Sequence, residues 1–160
     1  MKEIFFSVFI FVLLVSFSAA GEMKPIKPAE KDKCPVCGMF VEHFPDFFAQ
    51  IIFKDGSNAT FDGPKHMFKY YLSMNNYNPS KTPADIDSVY VTDFDSHSPI
   101  DAFKAFYVLG SDVDGPMGRE LIPFSNEKKA KAFMKSHKGK VIVTFNKVTA
   151  AMLKEIDQMK

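Results

Sequence analysis

Two stretches of this chain run from a short β-rich segment directly into a capped helix, and that recurrence constrains the fold more than any other feature. In the first, Ala59-Thr60-Phe61-Asp62 leads through Gly63-Pro64 into Met67, Phe68, Tyr71 and Leu72 at helical spacing. In the second, Ile122-Pro123-Phe124-Ser125 leads into Ala130, Phe133, Met134 and His137 on one helical face. Asp62 or Gly63 is expected to cap the first helix, with Pro64 in its first turn, and Ser125 to cap the second.

Each helix is preceded by a second strand pattern. Residues 47–53 are apolar and end at Lys54-Asp55-Gly56-Ser57, a hairpin signal before residues 58–61. Residues 102–109 precede the Gly115-Pro116-Met117-Gly118 loop and the short strand at 120–124. Further strands are expected at 89–94 and 141–147, and a terminal helix at 150–160. The reading is an α+β fold in which two ββα lobes, an internal repeat, pack into one compact domain. Lobe one covers about 34–75, lobe two about 89–160, and an Asn-, Pro- and Ser-rich linker joins them at about 75–88.

Residues 1–20 read as a signal peptide. Lys2 precedes an apolar run at 4–17, and Ser18-Ala19-Ala20 supplies small residues for cleavage before Gly21. The run is shorter than the ~20 apolar residues of a spanning helix. Membrane contact is expected only where this segment stays uncleaved. Residues 21–33, with Pro25, Pro28 and mixed charges, read as a flexible tail that serves as a spacer. With 20 basic and 19 acidic residues the chain offers no net field for nucleic acid.

Both cysteines lie within Cys34-Pro35-Val36-Cys37-Gly38-Met39. Thiolate and thioether are soft ligands and select Cu(I) over hard cations. Were the stretch extended, Cys37 and Met39 would share a face. Met117, flanked by glycines in a loop, offers a third soft ligand, whereas Met67 and Met134 sit on apolar helix faces as core residues. Cys34 joins Cys37, Met39 and Met117 in the expected ligand set, His66 and His43 are secondary candidates, and His97 and His137 read as solvated. Two other readings use the same cysteines: a redox-active pair, or half of a structural zinc site. An exported thiol pair oxidises unless a metal or a reducing partner holds it.

Taken together, Cys34-Pro-Val-Cys-Gly-Met39, Val91-Thr-Asp-Phe94, Ile100-Asp-Ala102 with Lys104-Ala105, and Gly115-Pro-Met-Gly118 through Pro123-Phe124 resemble the NosL family of nitrous oxide reductase accessory proteins. The resemblance spans most of residues 34–145. It implies a periplasmic Cu(I)-binding chaperone, not an enzyme, that supplies copper for the tetracopper centre of nitrous oxide reductase. Its partners would be the reductase apoprotein or its copper-site assembly factors. It also implies a fold similar to that of organomercurial lyases, and ligands at Cys37, Met39 and Met117. Many members of the family are lipoproteins; here Gly21 stands at the expected mature start, so a free periplasmic protein, exported by a Sec-type signal, is expected. The competing functions are a thiol-disulfide oxidoreductase, a lyase-like enzyme, a copper carrier for another cuproenzyme, or a non-catalytic scaffold.

Overall fold

The computed structural model describes residues 22–159. The expected signal peptide lies outside the described residues. No helix among the described residues is long and apolar enough to cross a membrane.

The chain adopts the expected mixed α+β arrangement, built on two antiparallel sheets. β1 (Ala49–Phe53) turns at Asp55-Gly56, where Gly56 takes a φ of +83°, and pairs with β2 (Asn58–Phe61). Helices α1 (Pro64–Leu72) and α2 (Met74–Tyr77) follow. β3 (Ile86–Thr92) then returns to the other edge of β1, and β4 (Pro99–Asp101) closes a four-stranded sheet of order β2-β1-β3-β4. The second sheet has β5 (Phe106–Leu109) at its centre, with β8 (Ile122–Phe124) and β9 (Val141–Thr144) beside it. Between β5 and β8 a small ribbon of β6 (Asp114–Gly115) and β7 (Gly118–Arg119) carries Pro116-Met117 at its tip. Helix α3 (Glu127–Ser136) joins β8 to β9, and α4 (Ala150–Gln158) ends the fold.

Several sequence expectations change. The strand expected at 89–94 belongs to the first sheet, not to lobe two, because its backbone pairs with β1 from Ala49↔Val91 to Phe53↔Ile86. Each sheet thus gains strands after its helical segment, β3 and β4 in the first and β9 in the second, rather than ending as a ββα unit. The expected linker contains α2, a 3-10 turn at Pro83–Asp85 and the start of β3. The strand expected at 102–109 begins only at Phe106, after a turn, and the one expected at 141–147 yields to a 3-10 turn at Phe145–Lys147. Helix α3 is capped by Asn126, whose side chain accepts from Lys128 N and Lys129 N, not by Ser125.

The flexible tail is the largest correction. From Met23 onward it lies along the outer face of the first sheet. Met23 N donates to Asp87, its carbonyl accepts from Ser88 and Tyr90 (2.8 Å from the phenol), and Ile26 N donates to Gln50 (2.9 Å). Alternation along β1 explains why this cover matters. Ala49, Ile51 and Phe53 face the main core, which leaves Gln50 and Ile52 on the opposite side, yet both are fully buried.

The main core joins the two sheets through α1. Met67 and Phe68 are buried there, and Phe68 packs edge-on to Tyr107 of β5 at 5.0 Å and against Phe145 at 4.8 Å. The other face of the second sheet packs Val108, Ile122 and Phe124 under Ala130 and Phe133 of α3. The helix that carries His66 is held by residues of both sheets, Phe61 of β2 against Tyr70 and Tyr107 of β5 against Phe68.

Candidate metal centre

The Cys34–Met39 stretch is a tight loop rather than an extended strand. Gly38 N donates to the Cys34 carbonyl (2.8 Å) and Cys34 N to the Met39 carbonyl (2.9 Å), with Lys33 bridged to Phe40. Gly38 takes a φ of +78°, a conformation that glycine adopts without a side-chain penalty. The closed loop turns both thiols inward. Cys34 is buried and Cys37 half-buried.

Opposite the loop lies the start of α1. Gly63 is the N-cap residue and caps with no side chain, which leaves Asp62 free for a different task. Its Oδ1 lies 2.8 Å from Nδ1 of His66, one helical turn on, and that nitrogen lies 3.7 Å from Sγ of Cys34. The ligating atoms of Cys34, Cys37, Asp62 and His66 all lie within 4.8 Å of one another.

Electrostatics define the resting state of this cluster. Burial pushes the Cys34 thiol far above its ordinary range, and its hydrogen bond to Asp62 pushes the same way. Burial also raises Cys37. Burial alone would raise Asp62 too, but hydrogen bonds from His66 and Cys34 outweigh it and hold the carboxyl below its ordinary value. The resting cluster is two protonated thiols beside a carboxylate, so Nδ1 of His66 is the donor toward Asp62. A metal arriving here must displace thiol protons.

The structure brings Cys34, Cys37 and His66 together, and it buries His66, which a helix-surface reading would have left in solvent. Met39 is half-buried, and its backbone lies in hydrogen-bonding range of the Cys37 thiol. Met117 is 47 % exposed at the ribbon tip. Its carbonyl accepts from Nζ of Lys65, the neighbour of His66, at 2.7 Å. His43 is exposed on the Val41–His43 turn, edge-on to Phe40 and Phe44, and is not one of the four clustered residues. Sequence reasoning missed Asp62. An Asp ahead of Gly-Pro is the ordinary signature of a helix cap; only its four-residue spacing to His66 hints at the pair.

The NosL family model matches residues 25–153, a span that contains the cysteine loop, the start of α1 and the ribbon. The chain belongs to the NosL family. It is 32% identical over 141 residues to the copper-binding lipoprotein NosL of Stutzerimonas stutzeri, covering 86% of this chain and 73% of that protein. In three dimensions it is similar to the crystal structure of the copper chaperone NosL from Shewanella denitrificans. That match has a TM-score of 0.68 at 26% identity, over 80% of this chain and 97% of the other. The likeness thus extends through both sheets of this NosL-family fold and is not confined to the cysteine motif.

Proposed function

We propose that this chain is an exported, non-catalytic copper carrier that holds Cu(I) at Cys34 and Cys37 with His66, Met39 and Met117. Its delivery target is the nitrous oxide reductase apoprotein or the factors that assemble its tetracopper centre. The carrying observation is a gradient of exposure across soft donors: Cys34 is 1% exposed, Cys37 is half-buried and Met117 is 47% exposed. Inner ligands retain the ion, while outer ones stay within reach of an acceptor that takes it by ligand exchange. Thiolate, thioether and imidazole match Cu(I), whereas the carboxylate of Asp62 does not. Asp62 instead accepts the Nδ1 proton of His66 in a hydrogen bond, which leaves Nε2, with the ring's lone pair, as the nitrogen that would ligate. The relatives named as copper-binding and copper chaperone proteins support the same reading.

A thiol-disulfide oxidoreductase fits less well. Reactive cysteines have lowered pKa values in electropositive surroundings. Both thiols here are raised, and an anionic carboxylate stands beside them.

Competition titration of the reduced mature protein against a Cu(I) chelator tests the binding site. Stoichiometric binding that weakens in Cys37→Ser, Met39→Leu and Met117→Leu is expected. Unchanged affinity in Cys37→Ser would refute the site. The client is tested in a deletion strain under copper limitation, where nitrous oxide should accumulate while the purified reductase keeps its binuclear electron-entry centre. A fully loaded, active reductase in that strain would exclude this client.

A further inference from the structure

We propose that Lys65 is a positioning residue that pins the Met117 ribbon to α1 and so sets whether Met117 can ligate the metal. This rests on the reading of Met117 as a ligand.

Lys65 is 2% exposed, an unusual place for an ammonium group, whose removal from water is costly unless it is paired. Its Nζ reaches two partners: the Met117 carbonyl at 2.7 Å and Asp157 Oδ1 of α4 at 3.3 Å. Asp157 is shared with Lys69 one turn along the helix, at 2.6 Å. The cluster at Cys34, Cys37, Asp62 and His66 uses none of these contacts. A methionine would occupy much of the same buried volume without a desolvation cost, so the charge invites a reason beyond packing.

The ribbon supplies that reason. It has two residues in each strand, its tip turns at Gly118 with φ of +77°, and the Met117 side chain is too exposed for core packing to hold it. The main chain must therefore place it. At the ribbon base, buried Glu120 accepts from Lys65 N (2.6 Å) and Leu121 N (2.8 Å), closing the open N-terminus of α1. The Glu120 carboxyl group sits between two glycines: a Cβ at Gly63 would collide with Oε2, and one at Gly115 would lie 3.1 Å from Cγ. At the tip, Lys65 Nζ holds the carbonyl of Met117 itself. Adjacent residues of one rigid helix thus serve two ends of the site: His66 turns into the thiol cluster, and Lys65 holds the ribbon.

The test is a thermodynamic cycle on Cu(I) affinity in the full mature protein, using Lys65→Met, Met117→Leu, the double variant and Lys65→Arg. Outer partners of metal ligands typically contribute roughly 10–100-fold in affinity, and Lys65→Met should weaken binding by that order. Because both single changes remove the same ligand, the double variant should bind no more weakly than Met117→Leu alone. X-ray absorption of the loaded Lys65→Met protein should count one sulfur fewer per copper than wild type, a signature that loose packing alone would not produce. Lys65→Arg, which keeps a donor for the carbonyl, should restore much of the loss. Far-UV circular dichroism checks the fold; Lys65→Gln, too short to reach the ribbon, replaces any Lys65→Met protein that fails to fold. Wild-type affinity and sulfur count in Lys65→Met, or additive losses in the double variant, would overturn the proposal while leaving Met117 a ligand. Wild-type binding by Met117→Leu would instead remove Met117 from the site, and the role of Lys65 with it.

Discussion

Asp62 and His66 stand one helical turn apart at the start of α1, joined at 2.8 Å between carboxylate and ring, with the Cys34 sulfur on the same ring nitrogen at 3.7 Å. The carboxylate fixes the imidazole against the thiols, and neither cysteine-loop residues nor helix residues alone make the cluster.

Asp62→Asn keeps the shape of the side chain and removes the charge that holds the ring. Copper affinity should fall roughly 10–100-fold, the usual cost of losing a ligand's supporting partner. His66→Ala should fall at least as far, and His43→Ala should be indistinguishable from wild type. Competition titrations on the three variants check this; equal effects from His66 and His43 would contradict the clustering.

Copper affinity should rise with pH across the mildly acidic to mildly alkaline range. Both thiols are pushed above their ordinary values, so they remain protonated until the metal displaces the protons. A pH-stat or calorimetry in two buffers of different ionisation heat measures the released protons. Affinity independent of pH would mean that no thiol binds the ion.

Glu120 is expected to control the pH dependence of folding stability. Burial raises its pKa to about 8, despite hydrogen bonds from Leu121 and Lys65 and the charge of Lys65. The folded chain then holds a proton that the unfolded chain has lost. The group's contribution is fully present below the ordinary glutamate range and is lost as pH climbs through about 8. Glu120→Gln keeps the acceptor oxygen and cannot ionise, so its melting temperature should vary less than that of wild type over this window. Parallel curves for the two proteins would show that Glu120 does not titrate there.

The docked tail should carry measurable stability. Tyr90→Phe removes the 2.8 Å hydrogen bond to Met23 and should cost about 0.5–1.5 kcal/mol. Truncation of residues 22–30 should cost more, because it leaves the buried Gln50 side chain without Ile26 and frees Asp87, Ser88 and Tyr90 from Met23. Urea unfolding midpoints distinguish this from a mobile tail, whose loss would leave the midpoint unchanged.

Short-range signals were legible in the sequence. Asp55-Gly56 marks its hairpin and Pro64 its helix start, because each turn or cap is a local conformational demand. Cys34, Cys37 and His66 were readable as donors from their chemistry. What stayed hidden was non-local. β3 pairs with β1 across two helices, and a strand pattern carries no mark of its partner. The tail lacks apolar periodicity, yet it docks through backbone groups, which any sequence possesses. Asp62 was hidden in part for the same reason: its His66 partner is local, but the Cys34 thiol that also bonds it arrives only when the cysteine loop closes over α1.

The scattered origin of the site has a consequence for when cargo can be taken up. Cys34 and His66 are 32 residues apart, and Lys65 and Met117 are 52 apart. Contacts of such separation require closure of long loops and form after local turns and helices. A chain still emerging or still unfolded therefore presents the Cys34–Cys37 pair without its imidazole and without the ribbon that carries Met117. The complete donor set comes into being only with the finished fold, so the geometry of the site is itself a product of folding.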